Sequence, residues 1–300
     1  MSQTCSPSTQ RRYGLARVCR MWEVARSTVY FAQQRQTTAP TPTRKRGPKP
    51  RWSDEDLGEK IRAVLAASPF LGEGHRKVWA RLRWQGVRTS KARVLRVMRE
   101  AKLLAPTRVG HAHGPAAHDG TITTDAPDQM WGMDATSCVT RQEGTATVFV
   151  VVDHCASECI GIHAAKPGTR FEAVEPLRQG VRAIFGAYAE GIATGLQARH
   201  DHGSQYVSEY FQDDLKFLGI TPSPAFVREP EGNGVAERFI RTLKEQLLWV
   251  RPFETVEELR LALLDFKEQY NREWLCERHG HRTPAAVRTA LKTPAVPVAA

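Results

Sequence analysis

The sequence lacks any apolar run that could cross a bilayer. Its apolar runs are short, Val148–Val152 being typical of the longest, and a spanning helix needs about 20 residues. Met1 to Arg12 is polar and holds no apolar signal segment. Neither a membrane nor a secreted protein is expected. No CxxC pair occurs among the six cysteines, Cys5, Cys19, Cys138, Cys155, Cys159 and Cys276. With no secretory context, reduced structural thiols in a cytoplasmic protein are the expectation. A zinc site from His154, Cys155, Cys159 and His163 is not expected, because these residues flank an apolar strand and lack a second ligand pair. Internal repeats and sustained heptads are missing too, which excludes solenoids and coiled coils. At 41% hydrophobic and 25% charged residues, the composition also excludes wholesale disorder.

What the chain does have is positive charge, unevenly placed. Its 300 residues, enough for about two domains, carry a net +11. Residues 1–120 hold 24 Lys and Arg against 8 Asp and Glu, a net of +16. Residues 121–300 hold 19 against 24, a net of −5. A basic half joined to a mildly acidic half points to a nucleic-acid-binding part and a part with another task. A solvated basic surface is the plainer alternative.

Proline and glycine divide the chain. Residues 10–36 read as a small helix-turn-helix-like segment around Trp22, Glu23 and Val24, with Ser27 as a cap for its second helix. Residues 37–51 form a basic Pro-rich linker. Residues 52–105 read as three helices. The first opens on Ser53 and an acidic turn, and carries Leu57, Ile61, Val64 and Leu65 at helical spacing. The second runs from about Gly74 to Trp84 and stops before Gly86; the third is capped by Ser90. That third helix holds Lys91, Arg93, Arg96, Arg99 and Lys102 away from its apolar stripe. Helix, glycine turn and basic helix is the helix-turn-helix arrangement, its last helix suited to a major groove. An ordinary helical bundle with a basic face is the alternative.

Residues 106–126 read as a second linker, residues 127–272 as an α/β core, and residues 273–300 as a tail with a short helix. Within the core, strands are expected at 130–136, 145–153 and 158–165. A helix follows at 169–188, a strand at 196–201, a helix at 208–218, a strand at 220–223 and a helix at 234–250. Three strands in sequence, then alternating helix and strand, fit a ribonuclease-H-like mixed sheet flanked by helices.

Acidic residues at strand ends carry the chemistry. Asp134 lies in the first strand, Asp201 ends the fourth, and Glu237 sits early on the helix after Gly234, with 35 residues between the last two. A carboxylate within an apolar strand costs free energy unless it is paired or binds a cation. Three that converge repel one another, and hard divalent ions with oxygen ligands relieve this. Two such ions roughly 3.5–4 Å apart can activate a nucleophile and stabilise a leaving oxygen at phosphorus.

The stretches Trp131–Thr136 (WGMDAT), His200–Tyr206 (HDHGSQY) and Gly232–Glu245 (GNGVAERFIRTLKE) carry a resemblance. The chain resembles OrfB-type transposases of the bacterial IS-three family, within the DDE integrase-core superfamily. Gly72–Leu104 looks like that family's helix-turn-helix, and His279–Val287 (HGHRTPAAV) like its C-terminal signature. The resemblance implies that Asp134, Asp201 and Glu237 bind two Mg²⁺ or Mn²⁺ ions. It implies cleavage and joining of double-stranded DNA at transposon ends by transesterification, in the bacterial cytoplasm near the nucleoid. It further implies a homo-oligomer on DNA and a possible upstream-frame OrfA partner. Lys244, two helical turns after Glu237, is expected on a DNA phosphate, a solvated lysine being the alternative. Arg241, Asn233, Gln205, Lys91, Arg93, Arg96 and Arg99 are further expected DNA contacts. His200 and His202 are not expected to be catalytic. The sequence ahead of Glu237 departs from the family's usual Asp-Asn-Ala, which leaves the subgroup open. An HHCC zinc domain is not expected; His111, His113 and His118 read as linker.

Two other readings compete. One is a catalytically inactive or domesticated DNA-binding regulator, which the three acids argue against. The other is a ribonuclease-H-type nuclease, which has no need of the helix-turn-helix segments.

Overall fold

A computed structural model describes residues 3–37, 51–106, 122, 124–225 and 233–292. Most of the two expected linkers, with His111, His113 and His118, lies outside the described residues. The chain divides into two units, Met1–Arg51 and Trp52–Ala300. In the first, α1 (Leu15–Met21) and α2 (Arg26–Thr37) are joined by a short turn. The expected cap of α2 is Ser27; the helix starts one residue earlier, so Ser27 lies in its first turn.

The second unit begins with α3 (Asp54–Ala67), α4 (His75–Trp84) and α5 (Lys91–Glu100). The Ser53 hydroxyl accepts from the Asp56 N–H at 3.0 Å, and the Asp56 carboxylate accepts from the Ser53 N–H at 3.2 Å. This reciprocal cap satisfies two donors that a helix start leaves open. Gly86, at φ 78°, makes the turn after α4 that a residue with a Cβ resists. Ser90 caps α5. Leu57, Ile61, Val78, Leu82, Val94 and Met98 interlock as the core of this three-helix body.

The remaining core is one sheet. β1 (Met130–Thr140), β2 (Gly144–Asp153) and β3 (Cys159–Ala165) are antiparallel, while β4 (Gln197–His200) and β5 (Thr221–Pro224) run parallel to β1. The order is β3-β2-β1-β4-β5. Strand side chains alternate faces. In β2, Phe149 and Val151 therefore meet α7 (Glu175–Phe185) and α8 (Glu209–Leu218), after the one-turn α6 (Arg170–Ala173). Val148, Val150 and Val152 meet α9 (Gly234–Leu243) and α10 (Val256–Glu273) on the other side. Both faces of β2 are buried, which is why TATVFVVVD reads as an almost unbroken apolar run. This is the expected ribonuclease-H-like sheet with helices on both faces.

Three boundaries differ from expectation. β1 continues to Thr140, because Ser137–Thr140 pair in a hairpin with Gly144–Thr147. The helix expected at 234–250 is α9 followed by one π turn, Lys244–Leu248. Residues 273–292 of the stretch read as a tail are packed: Leu275, Cys276 and Val287 are buried, and α11 (Pro284–Lys292) docks on α10. Among the described residues no helix is long and apolar enough to cross a membrane.

Candidate active site

Strand parity and register bring the acids to one edge. Trp131 and Met133 point to the α7/α8 side. Gly132 and Asp134 therefore face the side that α9 and α10 cover, and Asp134 pairs across to Val150 on that face. β4 runs beside β1 with Gly132 opposite Arg199. Extending that register by two residues sets Asp201 abreast of Asp134. Glu237 is exposed in the first turn of α9, the helix that packs on this face of the sheet.

Electrostatics agree with this placement. Asp134 is half-buried, and its carboxyl is pushed up to about 6, chiefly by desolvation. The charges of Asp201 and Glu237 push the same way; the Ala135 N–H, which Asp134 accepts at 2.8 Å, and the Lys244 ammonium pull back. Glu237 is also raised, by partial burial. Asp201 is exposed, and its carboxylate accepts the Gly203 N–H at 2.9 Å, which fixes the turn that ends β4. The three acids and Lys244 thus share one electrostatic neighbourhood. They do not close into a cage. Among the described residues no three acidic, histidine or cysteine side chains stand close enough to hold a metal ion as they are. Like charges repel one another, and an all-oxygen donor set with a desolvated member fits a hard divalent cation.

The other expected site residues fall into two groups. Lys244 is half-buried at the first position of the π turn, and its charge lowers the Asp134 pKa slightly. Arg241 is exposed and pairs with Glu245 at 3.1 Å. Gln205 is half-buried beside Gly203, and its carbonyl accepts from the Ser208 hydroxyl. Lys91 and Arg99 are exposed on α5. Three expected DNA contacts also have partners within the fold. Asn233 is buried, and its amide donates to the Met133 carbonyl at 2.8 Å. Arg93 donates to Asp54 at 2.8 Å and to the Trp52 carbonyl at 2.7 Å. Arg96 pairs with Asp54 and Glu100. In each case a buried or acidic partner within the fold competes for the donor. Asp54, in the acidic first turn of α3, is the signal in the sequence for the two arginines.

Two residues near the acids are not singled out by the sequence. Tyr206 is fully buried, its hydroxyl has no hydrogen-bond partner among the described residues, and its ring stacks on His200. Burial raises its pKa, and the charges of Asp134 and Asp201 add to that. His154 is buried behind Gly132, with its pKa depressed to about 4, mainly by desolvation. The motif HDHGSQY holds Tyr206 in view; nothing local marks His154.

Known proteins now bear on the site. Residues 124–230 and 218–284 match families described as "Integrase core domain", and residues 52–111 match an "HTH-like domain". The chain thus carries an integrase core and an HTH-like domain. It is 28% identical over 290 residues to "Transposase for insertion sequence element IS629" of Shigella sonnei, covering 94% of this chain and 93% of that one. It is 27% identical over 282 residues to "Transposase InsD for insertion element IS2A/D/F/H/I/K" of Escherichia coli, covering 91% and 90%. A third relative, "Insertion element IS2A uncharacterized 48.2 kDa protein" of Escherichia coli, is 26% identical over 287 residues; the match takes in 93% of this chain but only 65% of that one. Among solved structures, the catalytic core domain of BIV integrase aligns with 54% of this chain and 95% of its own, at 21% identity and TM-score 0.40. The integrase-core match takes in β1 with Asp134, Asp201 and, in its second part, the helix of Glu237.

Proposed function

We propose that this integrase-core protein is a DNA transposase that cuts and joins insertion-sequence ends. Asp134, Asp201 and Glu237 are its catalytic acids. The observation that carries the reading is the β1–β4 register, which runs Asp201 toward the half-buried Asp134, within integrase-core matches that also span the helix of Glu237. A fold tolerates the mutual repulsion of such acids where a cation is to be held.

The three carboxylates would hold Mg²⁺ or Mn²⁺, two ions being the expected complement. The ions would supply charge stabilisation at phosphorus and lower the pKa of the attacking hydroxyl. In cleavage, water adds to a phosphorus and the 3′ oxygen of the transposon strand leaves. In joining, that 3′ hydroxyl attacks a target phosphodiester and displaces a new 3′ oxygen. One P–O bond forms and one breaks each time; the nucleophile gives up a proton to solvent and the departing 3′ oxygen takes one from it. Lys244 would hold a DNA phosphate beside the acids. Lys91 and Arg99 on α5 would contact the duplex backbone. Double-stranded DNA, further copies of the chain and an upstream-frame product are the partners this reading calls for. All three acids are present, and nothing in the site favours an inactive regulator.

The test is to incubate the full chain with duplex DNA ending in the element's own termini. Strand cleavage and joining are expected with Mg²⁺ or Mn²⁺ and not with a chelator. Binding without any metal-dependent cleavage would leave the regulator as the better reading.

A further inference from the structure

Asn233 has the side chain best suited to cap α9, and it does not cap it. It stands at the N-cap position with φ −116° and ψ 19°, and makes no side-chain bond to the first turn. Asparagine at an N-cap ordinarily contributes about 1 kcal/mol by accepting an N–H of that turn. Here the amide turns away and donates to the Met133 carbonyl, 100 residues distant in sequence, at 2.8 Å. Met133 is the neighbour of Asp134. Glu237 follows Asn233 by four residues, so both lie on one face of α9, a single turn apart.

The space around this bond is shaped to admit it. A Cβ on Gly132 would lie 2.7 Å from Asn233 Oδ1 and 2.8 Å from His154 Nε2. Any other residue at position 132 would therefore drive Asn233 and His154 away from β1. His154 and Asn233 are both buried, at 1% and 5% exposure. His154 packs at the same point, neutral at physiological pH. Strand, helix and imidazole meet here with no room to slide.

We propose that Asn233, admitted by Gly132 and backed by His154, is a positioning residue that sets the start of α9 against β1 and so fixes Glu237 relative to Asp134. The inference rests on the reading of Asp134, Asp201 and Glu237 as cation ligands. Asn233 itself touches neither cation nor DNA; it acts through the helix that carries Glu237. Groups that orient metal ligands typically change metal affinity or activity 10–100-fold when removed.

The test is Mn²⁺ binding to the full chain without DNA, read by calorimetry, with Asn233→Leu beside wild type. Leucine matches asparagine in shape and suits a buried position, but cannot donate. About tenfold weaker Mn²⁺ binding is expected, in addition to the modest fall in melting temperature that an unpaired Met133 carbonyl brings. In the strand-transfer assay, the Mn²⁺ concentration for half-maximal rate should rise while the rate at saturating Mn²⁺ changes less. A merely structural role predicts a lowered melting temperature with unchanged Mn²⁺ affinity, and that result overturns the inference. Gly132→Ala, which keeps the amide but pushes on it, is the second variant and should weaken Mn²⁺ binding likewise. Wild type binding no Mn²⁺ would instead sink the reading of the three acids.

Discussion

Asp134 is the residue at which fold stability and proposed function pull apart. A carboxyl whose pKa rises from 3.8 to about 6 on folding holds its proton more tightly in the folded state. It favours the fold at low pH and costs stability as pH climbs through about 6. Asp134→Asn removes that cost. Without divalent ions, the variant should be more stable than wild type at pH 8 by roughly 1–3 kcal/mol, and the gap should close toward pH 4. Urea unfolding at the two pH values measures this; a variant less stable at pH 8 would contradict it. His154 acts in the opposite direction. Its pKa falls from 6.5 to about 4, so it costs stability as pH drops through that window. Wild type alone would show the two effects partly cancelled, which is why the variant is the informative comparison.

At the scale of elements, α5 is where charge and contact separate. Five basic residues on and just after one helix read in the sequence as a single DNA-facing set. The structure divides them, because Asp54 at the start of α3 binds Arg93 and Arg96. Lys91 and Arg99 remain exposed. Removing Lys91 and Arg99 together should flatten the slope of log affinity against log salt by up to about 2, one for each phosphate no longer neutralised. Arg93→Ala should lower the melting temperature and leave that slope nearly unchanged. Salt titrations of DNA binding separate the two; equal effects on slope would show that the pairing with Asp54 yields to DNA.

Legibility follows locality. β2 is plain in the sequence because its branched apolar residues are contiguous, and α3, α5, α8 and α10 because a Ser or Thr cap precedes each apolar stripe. The mixed sheet is legible from three strands in succession followed by alternating helix and strand. The π turn after α9 leaves no mark, since neither glycine nor proline interrupts Leu243–Lys244. The acids of the candidate site are legible through their flanking motifs. The bond from Asn233 to Met133 is not, because it joins residues 100 apart and no local pattern encodes it.

At the scale of the molecule, the last helix is tied into the sheet by buried charge. Arg288 of α11 donates to both carboxylate oxygens of Asp128, at 2.8 and 2.7 Å, and to Glu158, and stands 3.7 Å from Asp153. Asp128 in turn accepts from the Trp131 indole at 3.1 Å, at the foot of the strand that carries Asp134. Arg288→Ala would leave Asp153 and Glu158 buried without their cation, while Lys292 still holds Asp128 at 3.0 Å, and such losses cost about 3–5 kcal/mol. A fall of that size in unfolding free energy is expected; a change under about 1 kcal/mol would show that the network relaxes to water. The helix-turn-helix body also rests on the core side, where Phe70 meets Trp274 edge-on at 4.9 Å and Leu71 exchanges hydrogen bonds with Gln246. The helix-turn-helix part of the basic half and the acidic half of the sequence are thus joined in one unit, with the acids of the sheet as the proposed cation site.

Three carboxylates from three separate elements are proposed to work as one centre. The decisive measurement is strand transfer of a pre-cleaved terminus by Asp134→Asn, Asp201→Asn and Glu237→Gln, each beside wild type in Mg²⁺. Every one of the three should lose joining activity by at least about a thousandfold while DNA affinity stays near wild type. Near-wild-type joining by any one of them would contradict a single three-acid centre.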